Sequence, residues 1–317
     1  MPTIPHTRRS LATGSRAIQI IVTPGSGNGR ALRTALHLRD ALRARGRRAE
    51  LEVFSDLRSL GRWAATGGTS FSRLVCVGGD GTLDTAAAAA VRRSVPFLAI
   101  GSGFGNLFAR ALGQPTRVDR AIDLLEHGEL VHVDVGVRNG LPFVCQESFG
   151  LLFDIQDRVE SSAQPRATWR RSLAYYQTAL RHLRDTPLVP VRVSVDGRVV
   201  ATDAVIVTVA NVETYGPWLS LTPGASPIDG LLDVFVMRRT SKREIFTRLL
   251  KRQVRLSGTE RGTLVCRGRH VSVGPRDEID VMPRRLPVVV SSKTAEALAQ
   301  GRARVVDSPH AVARRVA

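Results

Sequence analysis

An α/β fold in two parts is what the sequence predicts: a doubly wound parallel sheet in the first half and a mainly antiparallel β domain in the second. Three observations carry this. Short apolar runs alternate with helical patterns through the first half, as βα units of a parallel sheet require. Three of those runs end in glycine-rich turns. Past Gln114-Pro115 the apolar runs pair around turn dipeptides instead.

Taken in order, residues 18–22 (IQIIV) read as a buried strand running into Thr23-Pro24-Gly25-Ser26-Gly27-Asn28-Gly29. Leu32, Ala35, Leu36 and Leu42 then fall at helical spacing over 30–45. A third of these elements, 50–54, is a strand, and 57–65 a helix. Leu74, Val75, Cys76 and Val77 form another buried strand, followed at once by Gly78-Gly79-Asp80-Gly81-Thr82 and an alanine-rich helix. Residues 96–100 repeat the pattern, ending in Gly101-Ser102-Gly103-Phe104-Gly105-Asn106 before helices at 107–112 and 118–127. In a parallel sheet all three glycine-rich loops stand at the carboxyl ends of the strands, where ligands bind.

The chemistry concentrates at residues 78–82. A strand, a glycine turn and a helix start bring unpartnered backbone N–H groups to one point, and the helix macrodipole is positive there. Glycine lets the backbone approach a phosphate without a Cβ in between. Asp80 is out of place in an anion site unless it holds a cation or takes a proton, so the turn points to metal-assisted or base-assisted phosphoryl chemistry. The first loop lacks the GxxxxGK[ST] spacing of a P-loop and fails the GxGxxG dinucleotide pattern.

In the second half, 130–137 and 142–146 read as a hairpin around Arg138-Asn139-Gly140. Residues 164–183 form a long amphipathic helix carrying Trp169, Tyr175 and Tyr176. Residues 191–195 and 199–210 pair around Asp196-Gly197, 231–237 is a strand and 242–252 a basic helix. Four short β segments follow, at 263–266, 270–273, 278–282 and 287–290. The expected domains are 15–128 and 129–286, with 287–300 packing back on the first and loose tails at 1–14 and 301–317.

The 317 residues carry a formal net charge of +18, almost wholly from arginine, since the only lysines are Lys242, Lys251 and Lys293. That balance favours polyanionic partners, including anionic membrane surfaces. No aromatic–basic signature of a nucleic-acid module occurs, so no nucleic acid is expected. No apolar run approaches a membrane span, and residues 1–16 lack the apolar core of a signal peptide. Cys76, Cys145 and Cys266 are far apart with no ligand spacing. A reducing, cytoplasmic setting with at most peripheral membrane contact is expected.

These motifs resemble the diacylglycerol kinase catalytic family, which includes bacterial lipid kinases and the sphingosine kinases. Thr23-Pro24-Gly25-Ser26-Gly27 is similar to its opening Asn-Pro-x-Ser-Gly loop, and Gly78 to Thr82 match its signature. Gly103-Phe104-Gly105-Asn106 with Phe108-Ala109-Arg110 resembles its Gly-Thr-x-Asn-x-Phe-Ala-Arg. Asn211, Pro223-Gly224-Ala225 and Asp229-Gly230-Leu231-Leu232-Asp233 resemble its second-domain elements. The resemblance implies an NAD-kinase-like α/β domain holding ATP and Mg2+, and a β-sandwich for the lipid. It implies phosphate contacts from Gly78, Gly79 and Gly81, with Thr82 as a hydroxyl ligand. Thr23, Ser26, Gly27, Gly103, Gly105 and Asn106 would border the nucleotide. Asp80 would be catalytic and a metal ligand, and Asp229 a second metal ligand. A homodimer is left open.

The late Asp-Gly-Glu of the family, whose Asp is the favoured base in bacterial members, is missing. By position Arg267-Gly268-Arg269 is the best substitute, with Asp277-Glu278 a second alignment that requires a gap, and arginine cannot act as a base at neutral pH. The expected function is ATP-dependent phosphorylation of a diacylglycerol- or sphingoid-type lipid. The alternatives are a catalytically weak or silent nucleotide- or lipid-binding protein, and an NAD-kinase-like enzyme with a soluble acceptor.

Overall fold

A computed structural model describes residues 16–25, 29–66, 70–103, 105–154, 185–213, 215–216, 219–250 and 263–301. The expected helix at 164–183 and all but the first residue of the expected tail lie outside these. The chain divides into two compact units, Met1–Val133 with Arg285–Ala317, and Asp134–Arg284.

The first unit is built on four parallel strands: β1 (Ile18–Val22), β2 (Ala49–Val53), β3 (Arg73–Gly78) and β4 (Phe97–Gly101). They lie in the order β2-β1-β3-β4, with Val22 opposite Val77 and Gly78 opposite Gly101. The end of a late strand adds to β4 in parallel through Val288 and Phe97. The helices between them are α1 (Arg30–Ala44), α2 (Leu57–Thr66), α3 (Asp80–Arg93), α4 (Leu107–Ala111) and α5 (Val118–His127).

Alternation along the strands explains the layering. Ala31, Ala35, Leu38 and Leu42 of α1 and Ala121, Ile122 and Leu125 of α5 share a core with Ile20, Val75, Val77 and Ile100. Cys76, between Val75 and Val77, points the other way, its Sγ 3.7 Å from the Thr82 carbonyl of α3. Burial on both sides is why these strands read as continuous apolar runs. The Cys76 thiol is fully buried, which raises its pKa well above the ordinary thiol value, so it is inert.

One buried polar side chain ties β4 to the returning strand. Gln114 Oε1 accepts from Ala99 N at 2.9 Å and its Nε2 donates to Val289 O at 2.9 Å. Gln114→Ala strands both backbone groups and should cost about 2–4 kcal/mol of stability. A urea midpoint equal to wild type would contradict that role.

The second unit is an antiparallel sheet. Its strands are the end of β5 (Glu129–Arg138), β6 (Leu141–Phe143), β7 (Gln146–Gly150), β8 (Val191–Val195), β9 (Arg198–Ala210), β12 (Leu232–Arg238), β13 (Thr263–Gly268), β14 (His270–Val273) and the start of β15 (Asp277–Val290). A separate two-stranded pair, β10 (Tyr215–Gly216) and β11 (Leu219–Ser220), lies between β9 and β12. One edge of β9 pairs with β12, and its other edge with β8 and then β7.

Both expected hairpins form at their turn dipeptides, where Asn139 and Gly140 have φ of 48° and 84°, and Asp196 and Gly197 48° and 76°. Val207, Val209 and Val234 pack into one core, and Ile206, Phe235 and Ile245 into another. Ile245 belongs to α6 (Lys242–Leu250), and the last helix described is α7 (Ser292–Ala299). The reading of two short strands at 278–282 and 287–290 is corrected: β15 runs unbroken through Pro283 and Pro287. Arg284, between them, has a φ of 51°.

On the β14–β15 pair, His270 Nδ1 lies 2.8 Å from Asp280 Oδ1 and its Nε2 3.0 Å from Glu278 Oε2. The hydrogen bond to Asp280, then the two carboxylate charges, lift its pKa above the ordinary 6.5. The stabilisation is therefore present in full below about 6.5 and lost as pH rises through the raised value. Asp280→Asn should move the His270 NMR titration toward lower pH, and an unmoved titration would remove the pair as its cause.

Candidate functional site

The three glycine-rich loops leave the same carboxyl edge of the first unit's sheet, because β1, β3 and β4 are parallel and in register there. Loop two is the start of α3. Gly79 is its N-cap, with no side chain capping it, so the N–H groups of the first turn are presented at the helix end. Gly29, at φ 77°, opens α1 after loop one in the same uncapped way.

The loops touch each other closely. Ser102 N donates to Gly78 O at 2.8 Å. A Cβ on Gly103 would stand 2.7 Å from Gly79 Cα, which real structures do not permit. One on Gly79 would meet only Gly103 Cα at 3.5 Å, ordinary contact. Asp80 joins loops two and three. Its Oδ1 accepts from Leu107 N, the first residue of α4, at 2.6 Å, and a Cβ on Gly105 would lie 2.7 Å from its Oδ2. Gly103 thus lets loops two and three come into contact, and Gly105 leaves room for the Asp80 carboxylate.

Two expected ligand groups are engaged within the protein. Thr82, buried, places Oγ1 2.8 Å from Thr23 Oγ1 and so ties loop two to loop one. Asn106, at φ 48°, accepts from Gly103 N at 2.8 Å and donates to Gly103 O at 3.0 Å, folding loop three on itself. Gly81 packs near Leu57, whose Cδ1 would be 3.3 Å from an added Cβ. Ser26 and Gly27 lie outside the described residues.

In the second unit the structure brings together an acidic group that sequence reading had seen only in part. Asp134, fully buried, accepts from Gly230 N and Arg284 N, both at 2.7 Å. Burial raises its pKa from the ordinary carboxyl value despite those bonds. Asn211 donates to the carbonyls of Asp134 (2.8 Å) and Val144 (3.1 Å), a bracing role. Asp229 Oδ1 accepts from Leu231 N at 3.1 Å. Asp134 was missed, and its signal was an acid inside the apolar run Val131-His132-Val133-Asp134-Val135.

Arg267 faces these acids. It stands opposite Asp233 across β12 and β13, with Nε 2.7 Å from Asp233 Oδ1 and Nη1 3.6 Å from Asp229 Oδ2. Its Nη2 donates to Gly224 O at 2.9 Å.

Comparisons with known proteins agree with the two-part architecture. Residues 17–137 match the diacylglycerol kinase catalytic domain, and residues 153–291 the YegS C-terminal NAD kinase beta sandwich-like domain. A diacylglycerol kinase of Mycobacterium tuberculosis is 28% identical over 241 residues, covering 72% of this chain and 75% of that protein. An uncharacterized protein of Synechocystis is 27% identical over 172 residues, covering 53% of this chain; the match spans only 39% of the relative. The crystal structure titled a putative diacylglycerol kinase from Bacillus anthracis superposes with a TM-score of 0.66 at 20% identity, covering 89% of this chain and 99% of that one.

The matched domains are those of kinase-type transferases. The two matched segments are, in chain order, a diacylglycerol kinase catalytic domain and a β-sandwich-like domain of the NAD kinase type.

Proposed function

We propose that the protein transfers the γ-phosphate of ATP to a hydroxyl of a diacylglycerol- or sphingoid-type lipid. The observation that carries this reading is the junction of glycine loops around Asp80. Backbone N–H groups at the start of α3 would receive the phosphates, where the helix dipole favours them. The acceptor hydroxyl oxygen forms a bond to the γ-phosphorus as the bond to the bridging oxygen of ADP breaks. Asp80 takes the hydroxyl proton. Thr23, Thr82 and Asn106 act by fixing the loops.

Mg2+ fits the Asp80 side of this site. It is commonly held by one or two carboxylates together with substrate phosphates, and it would neutralise charge developing on the transferred group. Among the described residues no group of three or more metal-ligating side chains is assembled, so the phosphates must complete such a site. Asp229 does not fit a second metal, because Arg267 already faces it.

The net charge of +18 supports attraction to an anionic membrane, with the protein cytoplasmic and peripheral. Among the described residues no helix is long and apolar enough to cross a membrane. A second reading, a silent nucleotide- or lipid-binding protein, is favoured by Arg267 standing where the family carries an acid. Radiolabelled ATP offered with Mg2+ and a lipid panel in anionic micelles separates the two. Label in a lipid product supports the kinase, whereas nucleotide binding without transfer to any lipid supports the silent protein.

A further inference from the structure

We infer that Arg267 is the resident cation of the second unit's acidic cluster, so that this unit needs no divalent metal to fold. Asp229 lies within electrostatic reach of both Asp134 and Asp233. Asp233 is 2% exposed and Asp134 wholly buried. Burying such charges without compensation costs several kcal/mol each. Asp134 is met by two backbone N–H groups, but among the described residues Asp233 has only Arg267 on Oδ1, and its buried Oδ2 finds no hydrogen-bond partner.

The guanidinium does what a metal ion would do there. One nitrogen contacts Asp233, a second stands by Asp229, and a third holds the Gly224 carbonyl. Its planar set of donors suits this fork, and it stays charged at every working pH. Facing Asp229, Asp233 and Gly224 with all three nitrogens, Arg267 is turned toward the cluster and away from any role as a phosphate clamp. The arginine that removes the family's acid is thus also the partner that Asp229 and Asp233 require. It is a positioning residue for the Gly224–Asp233 segment.

Thermal unfolding of the full chain, without nucleotide or lipid, tests this independently of kinase activity. The wild-type midpoint should be the same in chelator and in saturating Mg2+ or Mn2+. Arg267→Met should lower it by roughly 5–15 °C. Adding Asp233→Asn to that variant should recover part of the loss, because the buried charge goes with the acid, and Arg267→Lys should lose less than Arg267→Met. A saturable rise of the wild-type midpoint with Mg2+ or Mn2+ that Asp233→Asn abolishes would overturn the inference. So would an unchanged midpoint in Arg267→Met, or a double variant no more stable than Arg267→Met.

Discussion

Asp80→Asn should lower phosphoryl transfer by about two orders of magnitude or more, the usual scale for losing a catalytic acid–base group. The structure makes this a clean substitution. An asparagine oxygen can still accept from Leu107 N, so the bond that anchors α4 to loop two survives. What disappears is the charge that takes a proton or holds a cation. ATP affinity in the absence of metal should change little, and the melting curve should overlay that of wild type. Asp80→Ala, by contrast, removes the anchor as well and should disturb loop three. Turnover retained within a few fold in Asp80→Asn would assign Asp80 to capping α4 alone.

The second large effect is expected at Gly79. A valine there has room for its Cβ, which meets only ordinary contact with Gly103 Cα, so the fold should hold. Its methyl groups would occupy the space in front of the uncapped α3 N-terminus, where a phosphate would sit. Loss of two charge-assisted hydrogen bonds, about 3 kcal/mol or more, corresponds to a hundredfold or greater loss of ATP affinity. Gly103→Val differs in kind, since its Cβ would stand 2.7 Å from the Gly79 backbone and must force the loops apart. Calorimetry on the two variants should show lost binding in both but lowered stability only in Gly103→Val. Unchanged ATP affinity in a folded Gly79→Val protein would remove loop two from the nucleotide site.

The parallel half of the fold was legible in sequence because its signals are local. An apolar run, a glycine turn and a helical period each lie within about ten residues, and they fix which residues stand at strand ends. Gly78, Gly79, Asp80, Gly103 and Gly105 could be placed at one edge on that basis. The pairing of side chains across loops could not. Thr82 is joined to Thr23, 59 residues earlier, and this long-range bond turns inward a hydroxyl that motif reading had aimed at a ligand. Asn106 likewise spends both ends of its amide on Gly103.

In the second half the same limit applied to charges. Arg267 read as the loss of an acid, whereas its place opposite Asp233 depends on strand register across 34 residues. Asp134 was visible only as an acid in an apolar run, with no clue to its partners at Gly230 and Arg284. Two strands are expected in place of β15 because proline lacks a ladder donor, while the strand continues through both prolines, with Arg284 between them at φ 51°.

Amide hydrogen exchange with and without ATP and Mg2+ tests the central claim most directly. If the glycine loops at the carboxyl edge receive the phosphates, exchange should slow at Gly79 to Leu83 and at Gly103 to Leu107, and the amides from Asp229 to Asp233 should be unaffected. Saturating nucleotide that leaves the Gly79 to Leu83 amides exchanging as fast as in the free protein would contradict it.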